Sequence, residues 1–442
     1  MVPPKRPAVA ILAAILCAAL TLPTIPAQET YDKSLRERVR QMVRDVAEAM
    51  RKHYYDPSYH GIDMEARFKA AEETVQNATN LGQGYGAIAQ ALDALNDSHT
   101  FFSPPSRPIH FELGYVLQMV GDGCFITAVR PGTDAQEKIS PGDQVISWQG
   151  FTPSRATLWK LDYSINRLFA ASVQQFTIRR PDGSERKVEV KLRVKQLKRV
   201  LDLTSEEDYY QMIREEENDE RSNRHRYREM DEGPMIWKMP EFDLNDDGVD
   251  HIIKQARRHP ALVLDLRGNP GGLVKTLQYM VGSVMDHDVT IATRKGRKAD
   301  LKPMVAKTRR PSVFTGKLIV LVDSRSASAA ELFARVVQLE HRGTVLGDHS
   351  SGSVMESLRY PFSQGTNTKI FYGASITDAD LLMADGKSLE HTGVTPDETI
   401  LPTAADLGAG RDPALARAVE LAGGSIDAVE AGKLFPVEWQ PN

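Results

Sequence analysis

The chain has 442 residues, enough for two or three domains that each bury a hydrophobic core. Hydrophobic residues make up 41% of it and charged residues 26%, the composition of an ordinary globular protein. The net charge of -4 and the pI near 6.3 give no electrostatic reason to expect a nucleic-acid partner.

The first 28 residues have the pattern of a secretory signal. Lys5 and Arg6 precede an apolar run from Ala8 to Leu22, after which prolines and Ala27 follow. The run has roughly 15 residues, fewer than the ~20 of a membrane-spanning helix. Beyond it Cys124 is the single cysteine, so no internal disulfide is expected. We therefore expect residues 1–28 to be a signal peptide and the protein to be exported, into the periplasm.

Three regions with different patterns follow the signal. Residues 29–108 are predicted to be helical, because apolar residues recur every three or four positions in LRERVRQMVRDVAEAMRKHYY and GYGAIAQALDALND. Residues 109–197 contain short alternating runs, such as CFITAVRP and DQVISWQG, separated by Gly and Pro turns, which indicates a β-rich domain. Residues 198–234 are dominated by Glu, Asp and Arg, which is typical of a charged linker or insertion.

Strands and helices alternate in the next region, residues 235–405. The strands ALVLDLRG and KLIVLVDS are apolar throughout, as expected for strands buried on both faces of an α/β sheet. Residues 406–442 are predicted to be a C-terminal helical tail. The predicted fold class is mixed α/β.

Two motifs are similar to ligand-binding loops, but each lacks a residue that the loop requires. GNPGGLVKT, residues 268–276, lies between a strand and a helix like a phosphate loop, but Val274 stands where glycine must precede the lysine. DLNDDG, residues 243–248, matches half of a calcium loop, but Lys254 takes the place of the bidentate glutamate. We interpret the second motif as a capped helix start. No HExxH spacing occurs, so neither a metal nor a cofactor is expected.

Four stretches, taken in order, resemble the carboxyl-terminal processing and tricorn-core serine peptidases of family S41. They are LNDSHTFFSP, the β-rich region with SPGDQVISWQG, LVLDLRGNPGG, and SASAAELFA followed by SLEHTGVTPDE. The resemblance covers about residues 35–405. It implies a ClpP/crotonase-like α/β core, an N-terminal helical layer and an inserted PDZ-like domain at residues 109–197.

The resemblance also implies that Ser328 is the nucleophile. Its position agrees, because the strand KLIVLV ends shortly before it and a helix follows, whose first backbone N–H groups are unpaired. The N–H of Ala329 is then expected to bind the oxyanion, with a second donor from Gly271 or Gly272. Ser326 is predicted to cap the helix. The simpler alternative gives Ser328 only a capping role.

The lysine that processing peptidases of this family use as a base is missing. It is expected in a Gly-Lys-Gly context after the next strand, where this chain has Gly352 and Ser353. A hydroxyl has a pKa far above 7 and is a poor proton acceptor, whereas an imidazole with a pKa near 6.5 is a good one. We therefore expect a histidine to be the base.

The tricorn branch of the family implies which histidine. It uses a histidine preceded by serine at the end of the helical layer, matched here by Ser98 and His99, and a glutamate before a GVxPD turn, matched by Glu390. We expect His99 to be the base, with Ser98 and Glu390 polarising and orienting the other groups. The alternatives are a purely structural His99 and the rival bases His349 and His391.

The PDZ-like region is expected to bind substrate. FELGY, residues 111–115, lies at the carboxylate-loop position, where free N–H groups hold a C-terminal carboxylate while a peptide strand joins the sheet edge. The candidate binding residues are Leu113, Gly114 and Tyr115, with a core role as the alternative. The loop departs from Gly-Leu-Gly-Phe, so a preference for free C-termini does not follow.

The sequence therefore predicts an exported serine peptidase that hydrolyses unfolded or C-terminally presented polypeptides and needs no cofactor. Its partners would be polypeptide substrates, with no nucleic acid and no membrane contact apart from an uncleaved signal. The alternative is a catalytically inactive scaffold that binds peptides through its PDZ-like domain, which the missing lysine favours. Nothing in the sequence indicates an oligomeric state.

Overall fold

The structure is a computed structural model, and it describes residues 31–106, 109–169, 171–196, 224–298, 301–365 and 369–439. The predicted signal peptide, residues 1–28, lies outside the described residues, as do residues 198–223 of the charged segment. Among the described helices, none combines the length and the hydrophobicity that crossing a bilayer would require.

An N-terminal helical layer precedes the first strand. It consists of α1 (Lys33–His53), α2 (Met64–Asn77), α3 (Leu81–Asp93) and strand β1 (Phe101–Ser103). Each helix begins at a polar cap, because the side chains of Asp32, Asp63 and Asn80 accept hydrogen bonds from first-turn N–H groups. The apolar faces of the helices pack on a long hairpin that belongs to the second core sheet.

Residues 109–196, called the β module below, follow the layer. Its elements are β2 (Ile109–Glu112), β3 (Tyr115–Val120), β4 (Gly123–Val129), α4 (Asp134–Lys138), β5 (Gln144–Trp148), α5 (Leu158–Asp162), β6 (Val173–Arg179), β7 (Glu185–Lys191) and β8 (Arg193–Gln196). Strands β3 to β7 form an antiparallel sheet in chain order, while β2 pairs with β8. The module has a hydrophobic core of its own around the fully buried Trp148 and Ile126.

The helical layer and the β module are joined by a buried ion pair. Lys160 Nζ of α5 lies 2.5 Å from Asp93 Oδ1 of α3, and the two side chains are only 3% and 6% exposed. Burial raises the pKa of Asp93, and the ammonium of Lys160 opposes that rise. Each charge is thus held in a poorly solvated position by the other.

Removing one partner of this pair should destabilise the protein. Lys160→Met leaves the Asp93 carboxylate buried and uncompensated, at an expected cost of about 3–5 kcal/mol, measurable by urea unfolding. The double variant Lys160→Met, Asp93→Leu should recover most of the loss, since no buried charge remains. Lys433→Ala, which removes an exposed ion pair with Glu430, is the control and should leave the unfolding midpoint near wild type. A single variant as stable as this control would contradict the assignment.

The remaining residues form two sheets and six helices within the described ranges. The elements are β9 (Arg226–Glu229), β10 (Met235–Lys238), α6 (Asp246–Ala256), β11 (Ala261–Asp265), α7 (Val274–Val284), β12 (Val289–Gly296), β13 (Met304–Ala306), β14 (Lys317–Val322), α8 (Ala329–Leu339), β15 (Gly343–Gly347), β16 (Met355–Gln364), β17 (Ile370–Leu382), β18 (Glu398–Thr399), α9 (Ala404–Gly408), α10 (Pro413–Leu421) and α11 (Ala428–Lys433).

The central sheet has the order β18-β15-β14-β11-β10-β9. All neighbours run parallel except β9, which is antiparallel to β10. Strand β11 is buried on both faces: Leu262 and Leu264 pack on the side of α6, α7 and α8, while Ala261 and Val263 pack on the side of α10 and α11. This arrangement explains why the sequences of the central strands are apolar throughout.

The second sheet connects the core to the helical layer. Its order is β1-β17-β12-β13, and β16 pairs with β17 along the hairpin. Strand β1 joins β17 through the register Phe101 to Ser375, and the segment just before β1 carries His99. Residues that follow β17 include Glu390. The sheet therefore brings together two segments that are far apart in the chain.

The mixed α/β fold class is confirmed, and the structure differs from the prediction in two regions. Strand β1 (Phe101–Ser103) lies in residues 29–108, which were predicted to be helical. The charged linker, residues 198–234, includes strand β9, which extends the central sheet instead of standing apart from it. Its charges concealed the strand, because an edge strand buries little side-chain surface. The capped helix start at 243–248 is confirmed: Asn245 Oδ1 accepts a hydrogen bond of 2.8 Å from the N–H of Gly248.

Candidate active site

Three loops meet at the carboxyl ends of adjacent parallel strands in the central sheet. The glycine turn with Gly271 and Gly272 follows β11, the loop to Ser328 follows β14, and the loop to Ser353 follows β15. The carboxyl ends of parallel strands share one edge of a sheet, which is where α/β proteins place their ligand sites. The topology alone therefore brings the predicted nucleophile and its predicted oxyanion donors together.

Ser328 occupies the N-cap position of α8 in a strained conformation. Its φ of 54° and ψ of -118° lie in the left-handed region, which a residue with a Cβ adopts at a cost of about 1–3 kcal/mol. Its N–H donates to Ser353 O at 2.9 Å and to Glu331 Oε2 at 3.0 Å, which holds the backbone in this state. The side chain is half-buried at the start of the helix.

The neighbouring serines have structural hydrogen bonds. Ser326 Oγ is fully buried, donates to Leu266 O at 2.8 Å and accepts from the N–H of Asp323. Ser324 Oγ donates to Met119 O of the β module at 2.5 Å. The prediction that Ser326 caps α8 is wrong, because the helix begins two residues later, with Ser328 as its N-cap. The hydroxyl of Ser326 instead fastens the turn to the end of β11.

The glycine turn lies directly against Ser328. A Cβ built on Gly271 would be 2.7 Å from Ser328 Cβ and 3.0 Å from Ala329 N. The N–H of Gly271 donates to Asn269 Oδ1 at 2.8 Å. Within the described part of the chain, the N–H groups of Ala329 and Gly272 donate no hydrogen bond. Of the two candidate glycines, Gly272 therefore has the free donor.

His99 is joined to Glu390 through the hydroxyl of Ser98. Ser98 Oγ lies 2.8 Å from His99 Nδ1 and donates to Glu390 Oε2 at 2.9 Å, while Ser98 N–H donates to Glu390 Oε1 at 2.9 Å. A hydroxyl has a single proton. If Ser98 gives that proton to the carboxylate, Nδ1 of His99 must carry a hydrogen, which leaves Nε2 unprotonated and able to accept a proton.

Burial sets the protonation of both ends of this chain of hydrogen bonds. It lowers the pKa of His99 below its ordinary value, against the opposing charge of Asp97, so the imidazole is neutral at pH 7. Burial also raises the pKa of Glu390, a rise opposed by hydrogen bonds from Ser98 and from Val354 N–H. A neutral imidazole is the form that a general base requires.

One peptide group connects the nucleophile loop to Glu390. The carbonyl of Ser353 accepts from the N–H of Ser328 at 2.9 Å, and the N–H of the same peptide, that of Val354, donates to Glu390 Oε2 at 2.8 Å. Among the described residues, no hydrogen bond joins His99 Nε2 to Ser328. The structure thus brings the four predicted residues to one place and joins Ser328 to the others through this peptide.

The rival proton acceptors have other partners. His349 Nδ1 contacts Ser350 O at 3.1 Å. His391 is exposed, and its Nε2 lies 3.3 Å from Asn96 Nδ2 and 3.6 Å from Glu390 Oε1. Ser353 Oγ contacts Ser351 Oγ at 3.0 Å. None of these side chains contacts Ser328 in the part of the chain that the structure describes.

Sequence reasoning missed Asp97, which fixes the turn that carries His99. Asp97 Oδ1 accepts from His99 N–H at 2.9 Å and from Thr377 Oγ1 at 2.8 Å, and Oδ2 accepts from Thr100 Oγ1 at 2.9 Å. The Asp-x-His-Thr spacing typical of an Asx-turn is the signal that could have found it.

The candidate substrate residues lie at a cavity between the β module and the core. The cavity has a volume of about 350 Å³, and its walls include Leu113, Tyr115 and Leu117 on one side and Ser324 and Arg325 on the other. Tyr115 is also buried in the module core, so its lining and packing roles coexist. Gly114, at a φ of 70°, has its carbonyl occupied by the N–H of Arg130. In the described ranges, no cluster of three or more His, Cys, Asp or Glu side chains is arranged to hold a metal ion.

The chain is similar to known peptidases in sequence and in fold. The chain matches the model of peptidase family S41 over residues 236–400. It is 31% identical over 149 residues to a probable CtpA-like serine protease of Staphylococcus epidermidis, covering 33% of this chain and 28% of the relative. It is 28% identical over 150 residues to the carboxy-terminal processing protease CtpA of Bacillus subtilis, covering 34% of this chain and 30% of that relative. In these alignments the chain spans less than a third of each curated relative.

The similarity in fold extends over more of the chain than these sequence alignments do. A crystal structure of mature CPAF superposes with a TM-score of 0.62, covering 85% of this chain and 95% of that one at 14% identity. The matched family segment contains the glycine turn, Ser328 and Glu390, that is, the three site elements contributed by the core. Within residues 236–400 the chain is therefore similar in sequence to peptidase family S41, and its fold is similar to that of mature CPAF.

Proposed function

We propose that this chain is an exported serine peptidase that cleaves polypeptides, with Ser328 as nucleophile and His99 as base. The observation that carries the proposal is the hydrogen-bonded series from His99 through Ser98 to Glu390, built from segments 292 residues apart and linked by one peptide to the backbone of Ser328. A structural role for His99 would need no such series, whereas a base needs a group that fixes its tautomer.

The chemistry follows from the positions of the groups. Ser328 Oγ attacks the carbonyl carbon of the substrate while His99 Nε2 takes its proton. The negative charge that develops on the carbonyl oxygen is bound by the N–H groups of Ala329 and Gly272, at the positive end of α8. His99 then gives its proton to the departing amine. Water repeats the sequence on the acyl-enzyme, which releases the second product and restores Ser328.

Ser98 and Glu390 act through His99. When His99 is protonated, its Nδ1–H donates to Ser98 Oγ, whose own proton is held by the carboxylate of Glu390. This series disperses the charge of the imidazolium towards a buried anion. Ser353 has no part in proton transfer, because its hydroxyl has a neighbour of its own in Ser351.

The β module supplies the binding surface for the substrate in this proposal. Strand β3 is an edge strand, and the cavity lies between it, α5 and the loop before α8. A polypeptide in extended conformation can add to such an edge and place apolar side chains in the cavity. Gln118 of β3 donates to Asp323 at 2.8 Å, so the module is fastened to the loop that leads to Ser328. A PDZ-like role for residues 109–197 fits this arrangement.

Substitution of the glycine next to the nucleophile should reduce activity. In Gly271→Ala the new Cβ meets Ser328 Cβ at 2.7 Å at a φ of 105°, so either the serine or the turn must shift. A misplacement of about 1 Å lowers the rate by roughly 100-fold, which we expect in kcat. Gly268→Ala is the matched control: it has a φ of 75° but nothing within 4 Å, so it bears the conformational cost without the clash. Equal kcat values for the two variants would contradict the proposed geometry.

The test of the proposal distinguishes an active peptidase from an inactive scaffold that only binds peptides. The purified protein is assayed for hydrolysis of an unfolded polypeptide and for covalent labelling by a fluorophosphonate, and peptide binding is measured in parallel. We expect hydrolysis and one label per chain, located at Ser328. Binding of peptides without hydrolysis or labelling would establish the inactive scaffold instead.

A further inference from the structure

Glu331 is a buried carboxylate that the proposed mechanism does not use. It lies in the first turn of α8, three residues after Ser328, and its exposed fraction is 0%. Among the described residues, no Lys, Arg or His side chain forms an ion pair with Glu331. A carboxylate in such a position is stable only if hydrogen bonds replace the water it has lost.

Four donors surround this carboxylate, two for each oxygen. Oε1 accepts from Ser350 Oγ at 2.6 Å and from Gly352 N–H at 2.7 Å. Oε2 accepts from the N–H groups of Ser353 and Ser328, each at 3.0 Å. Glu331 therefore joins the nucleophile's backbone to the loop that replaces the Gly-Lys-Gly segment.

The same loop also holds the segment that carries Glu390. Ser350 Oγ accepts from Val394 N–H at 2.6 Å, and the carbonyl of Gly352 accepts from His391 N–H at 2.8 Å. Glu331 thus contacts the Ser328 loop and the 350–353 loop directly, and the segment after β17 through Ser350 and Gly352. A shift of its carboxylate would move all three.

The donors require an ionised group. An ionised carboxylate only accepts hydrogen bonds and has room for four, whereas an amide brings a hydrogen against one of the N–H groups. A protonated carboxyl does the same, or it donates to Ser350 Oγ, whose own proton then loses its acceptor. Either change leaves a buried donor unpaired, at about 1–3 kcal/mol. The strained φ of Ser328 is held by two acceptors of its N–H, Ser353 O and Glu331 Oε2, and loss of the second leaves the strain supported by one hydrogen bond.

We propose that Glu331 is a positioning residue that holds Ser328 in its attacking geometry only while the Glu331 carboxylate is ionised. The proposal rests on the proposed function of Ser328 as nucleophile. It adds a second protonation requirement, separate from that of His99.

Burial is the main cause of an unusual pKa at Glu331. It raises the pKa to about 7, and the hydrogen bonds from Ser350, Gly352, Ser353 and Ser328 oppose the rise. Most charged or titratable side chains of the surrounding segments have partners of their own: Asp323 with Gln118, Asp348 with Arg155, His349 with Ser350, Glu390 with Ser98, Arg335 with Asp385, and His391 with Asn96. Arg325, in the loop before α8, is exposed. Glu331 is therefore ionised above about pH 7 and protonated below it, so activity should rise with pH through this value.

The experiment measures the rate constant of fluorophosphonate labelling of Ser328 against pH in wild type, Glu331→Gln and Ser350→Ala. In wild type the rate should rise through a pKa near 7. Glu331→Gln should lower the rate at pH 8 by about 100-fold, and its remaining rise should move to lower pH, because the pKa of His99 is lowered by burial. Glu340→Gln, at the other end of α8, is the control and should match wild type.

Ser350→Ala keeps the carboxylate but removes one hydrogen bond that lowers its pKa, so the rise should move to higher pH. This variant decides the question if Glu331→Gln does not fold. A rise unchanged in both variants, or in Ser350→Ala alone when the glutamine variant is unfolded, overturns the role of Glu331 while Ser328 remains the nucleophile. A wild type that is never labelled overturns the proposed function and this inference together.

Discussion

Ser328→Ala abolishes both hydrolysis and fluorophosphonate labelling, with an expected fall in kcat of about 10⁴- to 10⁶-fold. The reason is that no other hydroxyl combines a position at the start of α8 with nearby free N–H groups: Ser326 is fully buried, and Ser324 donates to the β module. The measurement is steady-state hydrolysis of an unfolded polypeptide. Retained peptide binding by the variant would show that the fold survives.

The matched control for this prediction is Ser353→Ala. It removes a hydroxyl from the loop next to Ser328 but leaves the Ser353 carbonyl, which accepts from Ser328 N–H. We expect its kcat to stay within a few-fold of wild type. Loss of activity in this variant together with full activity in Ser328→Ala would show that Ser353, and not Ser328, is the nucleophile.

His99→Gln lowers kcat/KM by about 10²- to 10⁴-fold, the contribution expected of a general base. Glutamine retains much of the volume and can still contact Ser98, but it cannot accept a proton at neutral pH. Because the members of a catalytic series act as a unit, adding His99→Gln to Ser328→Ala should cause little further loss. His287→Gln, at an exposed histidine whose ring nitrogens contact Asp286 and Glu340, is the control and should have nearly wild-type kinetics.

The sequence predicts the fold class and the segments that meet near Ser328. Apolar strands alternating with helices predicted the central sheet, and that sheet places the loops after β11, β14 and β15 side by side. Strand β9 was missed, because an edge strand rich in charge has the composition of a linker. The choice of Ser326 as the cap failed because local capping preferences are the same for every serine, and only the packing decides where α8 begins.

Long-range hydrogen bonds lay beyond the reach of sequence patterns. The choice between Gly271 and Gly272 depends on the side chain of Asn269, which occupies one N–H and leaves the other. Three of the four hydrogen-bond donors to Glu331 belong to the loop after β15, so the sequence around position 331 does not indicate them. Asp97 had a local signal in its spacing, and its contact with Thr377 required the second sheet.

The central claim is that His99, and no group at the position of the missing lysine, activates Ser328. It is tested most directly by the rate constant of fluorophosphonate labelling at Ser328, measured at pH 8 for His99→Gln and Ser353→Ala in parallel with wild type. We predict a fall of about 100-fold or more for His99→Gln and no more than a few-fold change for Ser353→Ala. Labelling at the wild-type rate in His99→Gln would contradict the claim.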